Sequence, residues 1–247
     1  MSMIALLGAT GTIGSALARR LVRDGRNVLL VGRNADKLTP LAAELNQPAL
    51  TCEATDSSVL LEALERAAEQ TDGYSGIVNC IGSLLLKPAH ATSDDEFRRV
   101  VETNLFTAFA AVRAGAKLLR DRGGSIVLFS SAAAEIGVQN HEAIAAAKAG
   151  VIGLARSAAA TYAPNNVRVN VVAPGLTRTE MTRRIWDNAG AAAASTELHA
   201  LGRFGEPEQI ASAAAWLLDP ANDWTTGQVL TVDGGLSRVL PKRRPSA

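Results

Sequence analysis

Three polar side chains between residues 131 and 148 could hold or move a proton, namely Ser131, His141 and Lys148. A serine hydroxyl can hold a reacting oxygen, and an imidazole can donate a proton near neutral pH. Ile144 lies four residues before Lys148 and three after His141, so a helix that includes all three presents them on one face. The alternative for His141 is a solvated or capping side chain at the start of that helix. These residue types could carry acid–base chemistry around an apolar residue that can neither give nor take a proton, but their spacing alone does not decide between this and the alternative.

Three glycines follow the first apolar run of the chain and open a helical stretch. The motif reads Gly8-Ala9-Thr10-Gly11-Thr12-Ile13-Gly14. Glycines allow the backbone to approach a pyrophosphate, and a helix N-terminus supplies N–H donors and a positive dipole end. Glycine triplets also occur in ordinary turns, but a position at the first strand–helix junction favours dinucleotide binding.

Short apolar runs alternate with alanine-rich helical stretches along the chain. The predicted strands are Ile4–Gly8, Asn27–Gly32, Ala49–Cys52, Gly76–Cys80, Ser125–Ser130, Arg168–Ala173 and Gln228–Val232. The predicted helices are Ile13–Asp24, Ala35–Leu45, Ser57–Gln70, Asp94–Arg122, Glu142–Ala163 and Glu206–Leu218. Strands that are apolar almost throughout indicate burial on both faces. The alternation predicts an α/β fold in one domain over residues 1–247, a Rossmann-type doubly wound parallel sheet of about seven strands with helices on both faces. The stretch Asp94–Arg122 is long enough to contain a bend.

Charge and cysteine content limit the classes of partner. The chain has 25 basic and 24 acidic side chains and a net charge of +1, which gives no reason to expect nucleic acid or an anionic membrane as partner. The basic tail at residues 241–247 is expected to be a frayed end, and no metal site is predicted.

Cys52 and Cys80 lie in apolar runs, which favours a reduced, cytoplasmic setting. The first strand begins near Met3, so no N-terminal signal is expected, and no apolar run is expected to span a bilayer.

The segment from Ser131 to Lys148 resembles the active-site segment of short-chain dehydrogenase/reductases. In that family a Ser is followed thirteen residues later by a Tyr and four residues after that by a Lys. Here Ile144 stands in the Tyr position, and the only tyrosines, Tyr74 and Tyr162, lie outside the segment. The residues after Lys148, Ala-Gly-Val-Ile-Gly-Leu-Ala-Arg-Ser, are also similar to the family. The resemblance implies an oxidoreductase scaffold from which the usual acid is missing.

Other segments extend the resemblance over roughly residues 3 to 236. They include Pro174–Met181, Gly202–Pro207 and Gly227–Gly235. The resemblance implies that the nicotinamide and its phosphates are held by Pro174, Gly175, Thr177 and Thr179, the adenine by Glu53 and Ala54, and the adenosine ribose by Asn79 and Gly82. It also implies that Lys148 holds the other ribose. In the standard family pattern a Gly stands at position 12, where this chain has Thr12, with Gly11 one residue earlier.

Arg33 follows the second predicted strand, where NAD-specific proteins usually place a carboxylate to accept from the ribose 2′-hydroxyl. NADP sites place a cation against the 2′-phosphate there. Asp36 lies later, inside the next predicted helix. The residues therefore favour NADP(H) over NAD(H), with a solvated loop arginine as the alternative.

Asn104, in Glu102-Thr103-Asn104-Leu105, matches the family's helix Asn that holds a proton-relay water. A helix Asn facing solvent is the alternative. With Ser131 and Lys148 retained, the chain is predicted to be an oxidoreductase acting on a carbonyl, alcohol or activated alkene. His141, water or the substrate would then supply the proton. His141 precedes Lys148 by seven residues, a spacing similar to that of Tyr and Lys in enoyl-acyl-carrier-protein reductases. The second hypothesis is a non-catalytic dinucleotide-binding protein that serves as a regulator or partner subunit.

The segment 182–202 is expected to be a lid over a small-molecule substrate, as in the family, and an ordinary amphipathic helix pair is the alternative. Residues 237–247 are expected to form a C-terminal tail. Identical subunits are expected to associate as a dimer or tetramer, because the Ala- and Gly-rich stretch Ala143–Ala160 allows close helix packing. That face could instead be buried within the monomer.

Overall fold

The structure is a computed structural model, and it describes residues 2–240. Its strands are β1 Met3–Leu7, β2 Asn27–Gly32, β3 Ala49–Thr51, β4 Tyr74–Asn79, β5 Gly124–Phe129, β6 Val167–Pro174 and β7 Val229–Val232. They form one parallel sheet in the order β3-β2-β1-β4-β5-β6-β7. The order reverses between β1 and β4, and α/β sheets bind ligands at the carboxyl ends of the strands beside such a switch point. The predicted Rossmann-type sheet is confirmed.

The helices are α1 Thr12–Arg23, α2 Ala35–Leu45, α3 Ser57–Ala68, α4 Asp94–Val101, α5 Thr107–Leu118, α6 Glu142–Tyr162, α7 Arg183–Trp186, α8 Ala189–Leu198 and α9 Pro207–Leu218. The leucines and alanines of α3, α5 and α6 pack on one face of the sheet. Those of α1, α2 and α9 pack on the other. The strands are apolar almost throughout because both of their faces are covered in this way.

The long predicted helix Asp94–Arg122 is broken where the sequence allowed a bend. A capping box between Ser93 and Glu96 starts α4, and a π-helical turn, Glu102–Phe106, separates α4 from α5. Single π turns inside α-helices are frequent at functional sites. This turn contains Asn104, which is buried.

By length and composition alone, the helical segment Glu142–Asn165 could cross a membrane, so the expectation that no run is long enough was wrong. Half of its most apolar window is nevertheless buried inside the protein. Core helices of soluble proteins meet the same criterion, and α6 packs against β6 and α5.

The predicted lid segment contains two short helices, α7 and α8, joined at residues 187–188. The predicted tail, 237–247, is described only as far as Leu240. Its basic cluster at residues 241–247 lies outside the described residues.

Candidate active site

In the turn between β1 and α1, backbone atoms approach one another so closely that side chains larger than hydrogen do not fit at Gly8 and Gly14. Gly8 has φ +76° and accepts a hydrogen bond from Gly11 N at 3.1 Å. A β-carbon on Gly14 would lie 2.2 Å from the Gly8 carbonyl oxygen. Gly11 caps α1 without a side-chain hydrogen bond, and the first turn carries no acidic side chain. The helix therefore presents N–H groups that can bind an anion.

The other residues of this motif flank the turn. Thr10 places its hydroxyl beside Gly32, at the end of β2, and Ile13 packs partly buried on the core. The Thr12 hydroxyl accepts a hydrogen bond from Glu180 N at 3.3 Å. This bond joins the start of α1 to the loop that follows β6.

Arg33 lies exposed just past the end of β2. It makes no hydrogen bond or ion pair with the residues that the structure describes. Its neighbour Asn34 caps α2 by accepting from Lys37 N at 3.1 Å, and Asp36 is exposed in the first turn of that helix. Arg33 is thus a cation available to an anion at the carboxyl end of β2.

The two residues predicted to meet an adenine lie in the loop after β3. Ala54 is buried. Glu53 is exposed, and within residues 2–240 its carboxylate accepts only a long hydrogen bond, 3.4 Å, from Thr55 N. The carboxylate of the nearby Asp56, in contrast, accepts from the N–H groups of Ser58 and Val59 and so caps α3. The Glu53 carboxylate therefore keeps most of its capacity to accept further bonds.

Asn79 and Gly82 bound the loop after β4. The buried Asn79 amide donates to Thr107 Oγ1 at 3.1 Å and accepts from Ile81 N at 3.2 Å, which fixes the start of this loop. A β-carbon on Gly82 would lie 3.1 Å from Asn104 Oδ1 and 3.4 Å from Lys148 Nζ. Glycine at this position allows these two side chains to approach the loop backbone.

Lys148 is a buried cation at the centre of the site. Its Nζ donates to the Phe129 carbonyl at 2.9 Å, and its own carbonyl accepts from Ser130 Oγ at 2.8 Å. Burial lowers the pKa of Lys148 to about 8, although the nearby Cys80 opposes that shift. Burial also raises the pKa of the Cys80 thiol to about 12, against the effect of Lys148. An ammonium has three donors, and the part of the chain that the structure describes accepts from one of them. Two N–H groups of Lys148 therefore remain for a ligand.

The side chain of Asn104 is tied to a residue that the sequence did not single out. Its amide nitrogen donates to Ser83 Oγ and to the Val100 carbonyl, each at 2.9 Å. Its oxygen accepts from Ser83 N at 3.1 Å. Both amide protons are therefore occupied, and a water could reach this side chain only at the remaining lone pair of its oxygen. The only sequence signal for Ser83 is one polar residue in the otherwise apolar run after Gly82.

The Ser131 hydroxyl can still donate a hydrogen bond to a ligand, whereas the Ile144 side chain is buried and apolar. Ser131 caps a short 3₁₀ turn, with Oγ accepting from Ala133 N at 3.2 Å, and its hydroxyl proton stays available. Ile144 is 3% exposed. It belongs to an apolar cluster formed by Val100, Ala143, Ile144 and Ala147, with Leu84, Leu85 and Leu105 packed against them.

His141 lies just outside α6, which begins at Glu142. Its Nδ1 is 2.7 Å from the Gln139 carbonyl, so this nitrogen carries the proton and donates. The ring makes no hydrogen bond to Ser131 or Lys148. The spacing argument required the helix to have begun at His141. The imidazole is therefore hydrogen-bonded within its own loop. It does not extend the face of α6 that carries Lys148.

The loop after β6 begins at Pro174, the last residue of that strand. A β-carbon on Gly175 would lie 2.7 Å from the Cα of Asp233, so the loop passes directly over the end of β7. Thr177 is buried, and its hydroxyl donates to the Gly175 carbonyl at 3.2 Å. These contacts fix the loop at the carboxyl ends of β6 and β7.

The same loop continues into the predicted lid. The Thr182 hydroxyl lies 2.6 Å from the Thr177 carbonyl and 3.0 Å from the Thr179 hydroxyl. The Trp186 indole N–H donates to the Thr179 carbonyl at 3.0 Å. With the bond between Glu180 N and Thr12, these contacts hold the start of the lid beside the glycine turn.

The family model described as "Enoyl-(Acyl carrier protein) reductase" matches residues 8–237. The chain is 34% identical to the "Inactive 2-(S)-hydroxypropyl-CoM dehydrogenase 2" of Xanthobacter autotrophicus, over 90% of this chain and 100% of that protein. It is 32% identical to carbonyl reductase family member 4 of Danio rerio, over 97% and 100% respectively. A solved short-chain type dehydrogenase/reductase from Mycobacterium ulcerans superposes with a TM-score of 0.91 at 30% identity, covering 96% of this chain and 90% of that one.

This chain belongs to the short-chain dehydrogenase/reductase family. The relatives named above are described as dehydrogenases and reductases. Members of this family are oxidoreductases that bind a nicotinamide cofactor.

Proposed function

We propose that the protein is an NADP(H)-dependent oxidoreductase that acts on a small carbonyl, alcohol or activated alkene. The observation that carries this proposal is the buried ammonium of Lys148, which keeps two free donors and lies across Gly82 from Asn104. A buried cation is costly unless it is paired or hydrogen-bonded, and among the described residues the Lys148 ammonium has one hydrogen bond, to the Phe129 carbonyl. In this site it is positioned to hold a ribose while Ser131 holds the substrate oxygen.

The cofactor, when bound, supplies or accepts the hydride. This chain's residues bind and orient it. The N–H groups at the start of α1 hold the pyrophosphate, and the close approach of Gly14 to Gly8 keeps that turn narrow. The loop Pro174–Thr179 covers the nicotinamide, with the segment 182–202 as lid. Glu53 and Ala54 meet the adenine, and Asn79 and Gly82 line the adenosine ribose.

The preference for NADP(H) rests on Arg33. Replacing Arg33 by Ala is expected to lower NADPH affinity by about 10-fold or more and to leave NADH affinity almost unchanged, because a charge-assisted bond to phosphate contributes about 1.5–3 kcal/mol. Fluorescence titration with both cofactors measures this. Lys37→Ala, which removes another exposed cation from the same region, is the matched control. Equal binding of the two cofactors by the unmodified protein would contradict the preference.

The glycine turn gives a second test of the cofactor site. Gly14→Ala places a methyl group against the Gly8 backbone, so the turn must open and NADPH affinity is expected to fall at least about 10-fold, with overpacking costing about 1–3 kcal/mol of stability. In contrast, a β-carbon on Gly153, in α6, would meet no atom of the described residues within 4 Å. Gly153→Ala should therefore raise the free energy of unfolding by about 0.5–1 kcal/mol. Titration and chemical denaturation compare the two variants. A Gly14→Ala protein that binds NADPH normally would argue against this site.

We further propose that Ile144 occupies the position of the family's acid, and that water supplies the proton. Ile144 sits in an apolar cluster, and the His141 ring is held by Gln139. His141→Ala is therefore expected to change kcat/KM by less than about 10-fold, below the 10²–10⁴-fold that general acid catalysis contributes, and to keep the pH profile. His90→Ala, at another exposed histidine, is the control. A loss of about 10²-fold or a flattened pH profile, seen only in His141→Ala, would make His141 the donor.

The second candidate is a non-catalytic NADP-binding protein that serves as a regulator or partner subunit. Ile144 is buried in an apolar cluster, which leaves no proton donor at the position of the family's acid and favours this candidate. One relative also carries the word "Inactive" in its name. A protein that binds NADPH tightly but transfers no hydride to any carbonyl or enoyl substrate would support this candidate.

We also propose that identical subunits associate. Phe106 and Phe109 are 40% and 45% exposed with ring centroids 6.1 Å apart, and exposed aromatic pairs favour an interface. The predicted stretch Ala143–Ala160 is buried on one side of α6 and exposed on the other, at residues such as Ala146 and Ala149. The exposed side is the one available for close packing of a second subunit.

A further inference from the structure

His199 is a buried histidine that links the end of the lid to the loop after β6. It follows α8 directly and is 4% exposed. Its Nε2 accepts a hydrogen bond from Leu176 N at 3.1 Å, and its Nδ1 lies 2.7 Å from the Ser195 carbonyl. A carbonyl only accepts and a backbone N–H only donates. The proton must therefore lie on Nδ1, and Nε2 must be bare, which makes this ring neutral.

Leu176 lies between two residues of the loop proposed to cover the nicotinamide. On one side Gly175 packs against the Asp233 backbone, and on the other Thr177 is buried. The Leu176 carbonyl accepts from Gly205 N at 3.0 Å. The His199 ring thus completes the backbone hydrogen bonding of Leu176, at the centre of this loop, and it does so from the lid.

We propose that His199 is a positioning residue that holds the loop Pro174–Thr179 in the conformation that covers the cofactor. This inference rests on the proposed function. The Leu176 N–H needs an acceptor at the position of His199 Nε2, because a donor left without a partner costs free energy.

Two replacements of His199 separate its hydrogen bond from its bulk. Replacement by Gln supplies an uncharged acceptor. Replacement by Leu supplies none and leaves the Leu176 N–H unpaired, which we expect to weaken NADPH binding about 10-fold.

The experiment titrates NADPH into the wild type, His199→Gln and His199→Leu at one pH, with melting curves as a check on folding. We expect His199→Leu to bind NADPH about 10-fold more weakly than the wild type, and His199→Gln to bind it more tightly than His199→Leu because Gln restores the acceptor. Equal affinities of all three proteins would overturn the inference, as would equally weak binding by the two variants.

Nitrogen NMR of the wild type without cofactor keeps the test independent of the variants' folding and of the proposed function. The Nδ1–H tautomer is expected, with Nε2 hydrogen-bonded to the Leu176 amide. A ring whose proton lies on Nε2 contradicts the inference. This contact in a protein that fails to bind NADPH would instead count against the proposed function alone.

Discussion

Replacing Lys148 by Met is expected to lower NADPH-dependent activity by at least about 10²-fold and, at the same time, to raise the melting temperature of the cofactor-free protein. The activity falls because two charge-assisted bonds to the ribose are lost, each of which contributes about 1.5–3 kcal/mol. The stability rises because burial lowers the pKa of Lys148 from 10.5 to about 8. The ammonium therefore costs folding free energy below about pH 8, and this cost disappears as the pH rises toward 10.5.

Kinetic assays, cofactor titration and melting curves measure both effects. Above about pH 8 the wild type should lose NADPH affinity as Lys148 deprotonates, whereas Lys148→Met should show no such loss. Lys117→Met is the matched control, because Lys117 is an exposed lysine paired with Glu65 on the surface. A Lys148→Met protein that keeps its activity, or that loses both activity and stability, would contradict the role given to the buried ammonium.

Replacing Ile144 by Tyr is expected to raise carbonyl reduction by up to about 10²-fold, the low end of what general acid catalysis contributes. Position 144 lies one helical turn before Lys148, so a phenol there shares a face with the ammonium that would lower its pKa. The gain should stay near the low end because Ile144 is packed among leucines, and enlarging a buried side chain costs about 1–3 kcal/mol.

The measurement is kcat/KM on a generic carbonyl substrate with saturating NADPH. Ala146→Tyr, at an exposed position of the same helix, controls for a tyrosine elsewhere on α6. If Ile144→Tyr folds and binds NADPH but gains nothing, the pocket has been rebuilt around isoleucine, and the proposal of a lost acid fails.

The sheet could be predicted because its strands carry a strong local signal. Apolar runs such as Asn27–Gly32 need no tertiary information to be recognised, and no strand end in the structure differs from its predicted position by more than two residues. The π turn around Asn104 could not be located in the same way. The residue pattern of Asp94–Arg122 is compatible with one continuous helix. Only the hydrogen bonds of Asn104 to Ser83 and Val100 show where the α-helix changes to a π turn.

The candidate site was predictable where the backbone itself forms it. The glycine turn and the loop at Gly175 are recognisable because no other residue fits those close approaches. Ser83 and His199 were missed because their partners, Asn104 and Leu176, are far away in sequence. The grouping of His141 with Lys148 depended on where α6 begins, and helix ends are the least predictable part of an element.

The central claim is that this chain transfers hydride between NADP(H) and a small substrate without the family's tyrosine. The most direct measurement follows NADPH consumption by the wild type with a panel of carbonyl and enoyl substrates, beside Lys148→Met. The account predicts slow consumption that requires both substrate and Lys148, with a clear preference for NADPH over NADH. Tight binding of NADPH with no consumption by the wild type or by Ile144→Tyr would contradict it and identify a cofactor-binding protein without catalytic activity.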